Sequence, residues 1–222
     1  MPAGSDNHNF EHPSISANGR YVVFVSVDSN LVSGDTNSIH DVFVRDTVTN
    51  ITTLVSVDSN GMQGNGRPSY HPSISADGRY VVFGSMANNM VSGDTNSAED
   101  IFMHDTVTGI TTRISVDSSG AQSNGHSGYP SISADGRYIS FESSASNLVN
   151  GDTNNTPDIF VRDTVLKTTT RASINSSGAQ MNINMVILWP SLSADGHHVV
   201  FQSKADNLVS GDTKWIYRCL YA

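Results

Sequence analysis

The sequence predicts an all-β protein, a β-propeller in an incomplete ring of about three and a half four-stranded antiparallel blades. Nearly identical segments begin at Pro13, Pro72, Pro130 and Pro190, at spacings of 59, 58 and 60 residues, which marks a tandem repeat. Within each repeat, apolar and polar residues alternate with period 2, and turn residues recur at fixed positions. A short meander cannot bury both its faces alone, so the copies are expected to stack around an axis.

The second repeat shows four strands, which we name a, b, c and d in chain order. Strand a covers residues 72–75, and Asp77-Gly78 forms a tight turn into strand b at 80–85, because glycine accepts a positive φ. A loop of about a dozen residues leads to strand c at 100–105. Thr108-Gly109 then turns the chain into strand d at 110–116, and a polar segment leads to the next copy.

The repeats predict the organisation of one domain over residues 1–222. The first three repeats cover 13–71, 72–129 and 130–189, the fourth covers 190–222, and residues 1–12 resemble the end of a preceding repeat. The fourth copy keeps the pattern through Thr213 and then leaves it. Removing one A from a permitted coding of codon 214 restores Asp-Thr-Asn-Gly-Tyr-Thr-Asp-Val-Phe-Met. We therefore expect a frameshift or truncation there, no role for Trp215 or Cys219, strands c and d missing from this repeat, and further blades in the intact protein.

The repeated text Pro-Ser-Ile-Ser-Ala-Asp-Gly-Arg-Tyr-Val-Val-Phe, followed by Asp-Ile-Phe-Met-His-Asp and Thr-Gly-Ile-Thr-Thr-Arg-Ile-Ser, resembles the TolB-type β-propeller repeat. The resemblance covers residues 13–213. It departs from the family's usual Ser-Pro-Asp-Gly-Lys turn at Ala76, Ala134 and Ala194, and Asn18 replaces the aspartate in the first copy. The resemblance implies a protein-interaction module of the bacterial envelope, or the non-catalytic gate of a prolyl-oligopeptidase-like protease.

Charge and composition exclude several classes of function. With 12 basic and 21 acidic residues the net charge is −9, which disfavours nucleic acid and anionic membranes as partners. No apolar run reaches the length of about 18 residues that a spanning helix needs. The N-terminal residues lack a secretory signal, so the protein is either cytoplasmic or missing its N-terminus. Together with the resemblance, this favours a periplasmic or extracellular protein with a truncated N-terminus.

The sequence also lacks the motifs of the common hydrolases. Residues 125–129 miss the Gly-x-Ser-x-Gly elbow by one position, and residues 115–120 repeat only part of a sialidase-type Asp box. We therefore predict that the chain is not an enzyme.

The long connections, b–c and d–a, are expected at one end of the propeller, where loops on a rigid scaffold carry binding residues. The predicted binding face contains residues 34–40, 93–99 and 151–157. Each of these loops carries Asp-x-Asn-x-x-x-Asp, a spacing of oxygen ligands that suits Ca²⁺. The alternative is that these side chains only cap turns. The predicted metal residues are Asp35, Asn37, Asp41, Asp94, Asn96, Asp100, Asp152, Asn154 and Asp158.

An aromatic residue precedes the proline of each later repeat, at Tyr70, Tyr129 and Trp189. These rings would either stack on a sugar or a partner side chain, or fill the wedge between neighbouring blades. In strand c, Arg45 and Arg162, with His104 at the matching position, are expected to pair with the next residue along, namely Asp46, Asp163 and Asp105.

Three functional hypotheses remain open at this stage. The first is a non-catalytic module that binds another protein through its long-loop face. The second is a Ca²⁺-dependent glycan-binding propeller, and the third is the gating propeller of a protease. Unpaired strand edges in an open row of blades also predict dimers or larger species.

Overall fold

The computed structural model describes residues 13–68, 71–182, 188–211 and 218–221. Residues 1–12, Tyr70 and the segment around Trp215 lie outside the described residues. The described part contains fifteen strands and no helix able to cross a membrane. The strands are β1 (Ser14–Ile15), β2 (Tyr21–Ser26), β3 (Asp41–Asp46), β4 (Ile51–Leu54), β5 (Ser73–Ile74), β6 (Tyr80–Ser85), β7 (Asp100–Asp105), β8 (Thr111–Arg113), β9 (Ser127–Ile132), β10 (Tyr138–Ser143), β11 (Asp158–Asp163), β12 (Thr168–Arg171), β13 (Leu188–Leu192), β14 (Val199–Ser203) and β15 (Arg218–Tyr221).

Each repeat forms its own antiparallel sheet, with strands hydrogen-bonded in chain order. The first three sheets are β1–β4, β5–β8 and β9–β12, and the fourth contains β13–β15 among the described residues. The register is the same throughout, since Phe24 faces Phe43 and Phe83 faces Phe102 across the second and third strands. The predicted all-β propeller with an incomplete ring of blades is therefore confirmed. Strands a to d lie between the turns predicted from the sequence.

The fourth repeat differs from the expectation that its strand c is missing. Strand β15 (Arg218–Tyr221) pairs with β14, and the backbone register places Leu220 opposite Phe201, at the position that Phe160 has opposite Phe141 in the third sheet. That expectation was wrong because backbone pairing along β14 does not require the side-chain pattern of the other repeats.

The core lies between the sheets and not within any one of them. In β6, Val81 and Phe83 pack against the first sheet, whereas Val82 packs with Ile139 and Phe141 of the third. Successive residues of a strand point to opposite faces, so period 2 buries both faces of a middle sheet. A fully buried side chain of this size stabilises the fold by about 1.5–3 kcal/mol. The stacking of blades is therefore the main source of stability.

The first strands of successive sheets lie side by side around the axis and are linked by backbone hydrogen bonds. Ala17 donates to Ala76, Ala76 to Ala134, and Ala134 to Ala194, at 2.9–3.0 Å. Beside this line, Gly136 has a φ of +77°, and an added Cβ would lie 2.2 Å from Cδ2 of Tyr80 in the preceding repeat. Glycine is required there for both its backbone angle and the close approach of the tyrosine ring.

The strand-c aspartates pair with arginines of the a–b turn. Asp163 accepts from Arg137 at 2.7 Å, and the same pairs form between Asp46 and Arg20 and between Asp105 and Arg79. Arg137 holds the pKa of Asp163 at about 2, well below its usual range. The guanidinium also lies 4.8 Å from the ring centroid of Tyr138.

The expected pairing of these aspartates with the residue before them was therefore wrong. Arg45 donates instead to Thr52 and Asn50, Arg162 donates to Thr169 and to the backbone carbonyl of Asp117, and His104 bonds Thr111. The reason is geometric, because adjacent residues of a strand point to opposite faces of the sheet.

Candidate functional site

The two long connections of each repeat are bonded to one another at one end of the propeller. In the second repeat, Ser127 N–H donates to the carbonyl of Glu99 at 2.8 Å, and Glu99 N–H donates to Nδ1 of His126 at 3.1 Å. Asn96 Nδ2 donates to the carbonyl of Ser123 at 2.9 Å. The b–c loop therefore rests on the d–a connection, and the long-loop face has a fixed shape.

In the second repeat, the predicted metal residues are bonded to protein groups. Asp100 is fully buried, and its Oδ1 accepts from Ser115 at 2.5 Å and from Ser123 at 2.9 Å, while Asn96 donates to its Oδ2 at 3.0 Å. The guanidinium of Arg113 lies 3.4 Å from Asp94 Oδ2 and 3.7 Å from Asp100 Oδ2. An arginine therefore occupies the space between the two carboxylates.

The third repeat has the same arrangement. Arg171 lies 3.6 Å from Asp152 Oδ2 and 3.5 Å from Asp158 Oδ2, and Asn154 donates to Asp158 at 3.1 Å. Burial raises the pKa of Asp152, and the Arg171 charge opposes that rise. Burial likewise raises the pKa of Asp94 in the second repeat against the effect of Arg113. In the second and third repeats, each pair of carboxylates therefore has one arginine between its members.

The first repeat breaks this pattern, because Leu54 stands opposite Phe43 where Arg113 stands opposite Phe102 and Arg171 opposite Phe160. Gln63 Nε2 donates to Asp35 Oδ1 at 3.1 Å, and Ser56 donates to Asp41 Oδ1 at 2.5 Å. The two Oδ2 atoms are buried without a hydrogen-bond partner.

Burial raises the pKa of Asp41, and the neighbouring charge of Asp35 raises it further. Asn37 lies close enough to oppose this rise, although its Nδ2 donates to the Gly64 carbonyl at 3.4 Å and not to Asp41 Oδ2. Across the described ranges, no three His, Cys, Asp or Glu side chains gather as metal ligands. A cation at these loops would therefore draw on amide, hydroxyl or water oxygens as well as carboxylates.

The aromatic residues predicted for binding come together at the axis. The rings of Tyr129 and Trp189 are 6.4 Å apart, and His71 lies 4.9 Å from Tyr129 and 6.1 Å from Trp189. Tyr129 and Trp189 have φ values of 54° and 55°, and both sit at register shifts in their strands. Bulky residues rarely adopt this backbone conformation, and a bulge re-aims the side chain.

Two glutamates complete this group, which we call the axial cluster: His71, Glu99, Tyr129, Glu142 and Trp189. Glu142 faces Gly128 across the third sheet, and Glu99 Oε1 lies 3.8 Å from the position of a Cβ on Gly128. Burial, followed by the charge of Glu99, raises the pKa of Glu142 to about 7. Burial and the charges of both glutamates also raise the pKa of Tyr129.

Sequence reasoning missed both glutamates. The sequence did contain a signal for Glu142, because a charged residue stands there at a position that is uncharged in the other repeats, namely Val25, Gly84 and Gln202. Of the three predicted aromatic residues, Tyr70 lies outside the described residues. The other two form one cluster between different blades, with Trp189 still 51% exposed, so they both contact neighbouring blades and remain accessible.

Solved structures of other proteins share this fold. TolB from Acinetobacter baumannii is 19% identical, with a TM-score of 0.52 over 96% of this chain and 40% of that one. A putative TolB from Agrobacterium tumefaciens is 19% identical, with a TM-score of 0.53 over 90% of this chain and 56% of that one. The β-propeller domain of the Trilobed protease from Pyrococcus furiosus is 11% identical, with a TM-score of 0.53 over 96% and 53%.

No protein-family model matches the chain, and no curated protein sequence is significantly similar to it. The structural matches show that the chain has a TolB-like β-propeller fold. The chain spans less than two thirds of the length of each of these proteins.

Proposed function

We propose that this chain is a non-catalytic TolB-like propeller module that binds another protein through its long-loop face. The observation that supports this proposal is the axial cluster, where aromatic rings from three repeats meet and the charges of two glutamates act on Tyr129. Trp189 is half exposed there, and tryptophan and tyrosine are the residues that most often anchor protein interfaces.

The chemistry of the axial cluster favours a partner segment with a basic side chain. A lysine or arginine bound over the rings of Tyr129 or Trp189 gains a cation–π interaction, and the carboxylates of Glu99 and Glu142 attract its charge. The net charge of −9 adds a long-range attraction for a basic partner.

A displayed library of random peptides tests this proposal. Wild-type protein is expected to enrich peptides with lysine or arginine, and Trp189→Ala is expected to weaken the selected peptides by about tenfold or more. The matched control is Val107→Ala, an exposed residue of a c–d turn at the opposite end, which should leave binding unchanged. Failure to enrich any peptide, or equal binding by Trp189→Ala, contradicts the proposal.

Glu142 adds a pH signature to the same experiment. Since its pKa is about 7, its carboxylate is mostly charged above that pH and mostly neutral below it. Binding of a basic peptide should therefore tighten as pH rises through 7, and Glu142→Gln should remove this dependence.

The second candidate is Ca²⁺-dependent glycan binding, which the exposed Trp189 ring and the loop carboxylates favour. A glycan array read with and without a chelator separates it from peptide binding.

The third candidate is the gate of a protease, which the similarity to the Trilobed protease propeller favours. A protease domain encoded beside this segment in the genome would support that reading.

The TolB-like fold supports a location in the bacterial envelope or outside the cell, and cell fractionation tests this part of the proposal.

Self-association through open strand edges also stays a prediction. Light scattering should show dimers or larger species, and a monomer with a cooperative melt would contradict it.

A further inference from the structure

The first repeat buries two carboxylates without the arginine that its neighbours use. Asp35 is 7% exposed and Asp41 is 1% exposed, so both carboxylates are removed from water. The corresponding pairs in the second and third repeats enclose Arg113 and Arg171. Leu54 stands in place of these arginines, and its side chain carries no charge.

The free carboxylate oxygens of the first repeat correspond by position to the oxygens that contact an arginine in the second repeat. Gln63 and Ser56 occupy the two Oδ1 atoms, which leaves Asp35 Oδ2 and Asp41 Oδ2 buried without a partner. In the second repeat the Oδ2 atoms of Asp94 and Asp100 are the ones that contact Arg113. The register of the strands is the same in both repeats. The first repeat therefore has the same pair of carboxylates, with Leu54 at the position of the arginine.

Gln63 shows that the surrounding loop has adapted to this difference. In the second repeat the matching Gln122 turns its Oε1 to Arg113, whereas Gln63 turns its Nε2 to Asp35. This amide covers one carboxylate oxygen but brings no charge. Two buried carboxylates without the arginine that lies between their counterparts are strongly unfavourable.

We propose that the first repeat binds one Ca²⁺ ion between Asp35 Oδ2 and Asp41 Oδ2, at the place of the arginine in the next two repeats. A divalent ion neutralises both carboxylates, whereas a guanidinium neutralises one. Both protein ligands are hard oxygen atoms, which calcium prefers, and water can complete its coordination. Zinc is disfavoured because both proposed ligands are carboxylate oxygens, whereas zinc sites in proteins are built mainly from histidine and cysteine.

This proposal narrows the prediction made from the sequence. The sets containing Asp94 and Asp152 have the same spacing, but Arg113 and Arg171 already hold their cation position. Of the three loops with this spacing, only the first has no arginine at this register position. The site lies where a b–c loop meets β3, so an ion bound there would further stabilise the long-loop face.

Thermal unfolding and calorimetric titration of the chelator-treated 222-residue chain with CaCl₂ test the site. Wild-type protein should bind with a stoichiometry of one, and its Tm should rise by about 5 °C or more at about a hundredfold excess over Kd. Leu54→Arg supplies the guanidinium found in the other repeats, so it should fold with a higher Tm and lose the response to Ca²⁺. Asp35→Asn should weaken Ca²⁺ binding by about tenfold or more.

The matched control is Asp94→Asn in the second repeat, which should keep the wild-type response to Ca²⁺. No heat and no rise in Tm at millimolar Ca²⁺ overturns the proposal, as does an unchanged response in both Leu54→Arg and Asp35→Asn. Equal stabilisation by MgCl₂ overturns the assignment to calcium, because Mg²⁺ requires a stricter geometry and sheds its water reluctantly.

Discussion

Replacing Glu142 by Gln should stabilise the protein at alkaline pH and change little in acid. Burial and the charge of Glu99 raise the pKa of Glu142 from 4.5 to about 7, and its Oε2 has no hydrogen-bond partner. At about 1.36 kcal/mol for each pH unit, this rise corresponds to about 3 kcal/mol. Glutamine has nearly the same shape, stays neutral, and already occupies the matching position of the fourth repeat as Gln202.

The sign of the effect follows from the direction of the shift. Because the pKa of Glu142 is higher in the folded state, its carboxyl contributes full stability below the unfolded value near 4.5 and loses it as pH rises through about 7. Wild type should therefore lose up to about 3 kcal/mol between about pH 4.5 and about pH 8.5 that Glu142→Gln retains. Ionisable groups whose surroundings the substitution leaves unchanged cancel when the two proteins are compared at each pH.

Urea unfolding at about pH 5 and about pH 8.5, followed by circular dichroism, measures this difference. Glu99→Gln serves as a second variant, because removing the neighbouring charge should lower the pKa of Glu142 without removing its carboxyl group. A change of less than about 1 kcal/mol between the two pH values in the wild-type minus Glu142→Gln difference would refute the reasoning. So would a carboxyl pKa near 4.5 measured by NMR for Glu142.

Two further predictions concern the contacts between turns and strands. Gly136→Ala should lower the free energy of unfolding by about 1–3 kcal/mol more than Gly151→Ala does. Both glycines have a φ near +77°, but only a Cβ at residue 136 would meet the ring of Tyr80. Equal losses of stability in urea unfolding would contradict this. Arg137→Gln should raise the pKa of Asp163 from about 2. A lowered folded-state pKa gives stability that is lost as pH falls, so wild type should lose more stability than the variant between about pH 4 and about pH 2. Matching acid-unfolding curves contradict this.

Local sequence determined the strands and turns of this protein. Period 2 along residues 80–85 and the Asp77-Gly78 turn depend on neighbouring residues alone, because side-chain alternation and φ preference act over one or two positions. The repeat at 58 to 60 residues then implied stacking, since identical sheets can bury both faces only against copies of themselves. The propeller fold was therefore predictable without any long-range contact.

The partners of charged side chains were less predictable. The sequence placed Arg162 next to Asp163, but the structure pairs Asp163 with Arg137 from the preceding turn, because neighbours in a strand point to opposite faces. The Asp-x-Asn-x-x-x-Asp loops were also visible in the sequence. Whether an arginine lies between the two carboxylates of a loop depends on strand d of the same repeat. Arg113 of the second repeat and Leu54 of the first repeat stand at the same register position.

Only the tertiary structure brought the axial cluster together. His71, Tyr129 and Trp189 come from three repeats about 60 residues apart, and their rings meet because the first strands of successive sheets lie side by side around the axis. The shifted pKa of Glu142 has the same origin, since burial between blades and the charge of Glu99 arise only when the sheets are stacked. Local pattern decides what each blade is, and the distances between blades decide which side chains can act together.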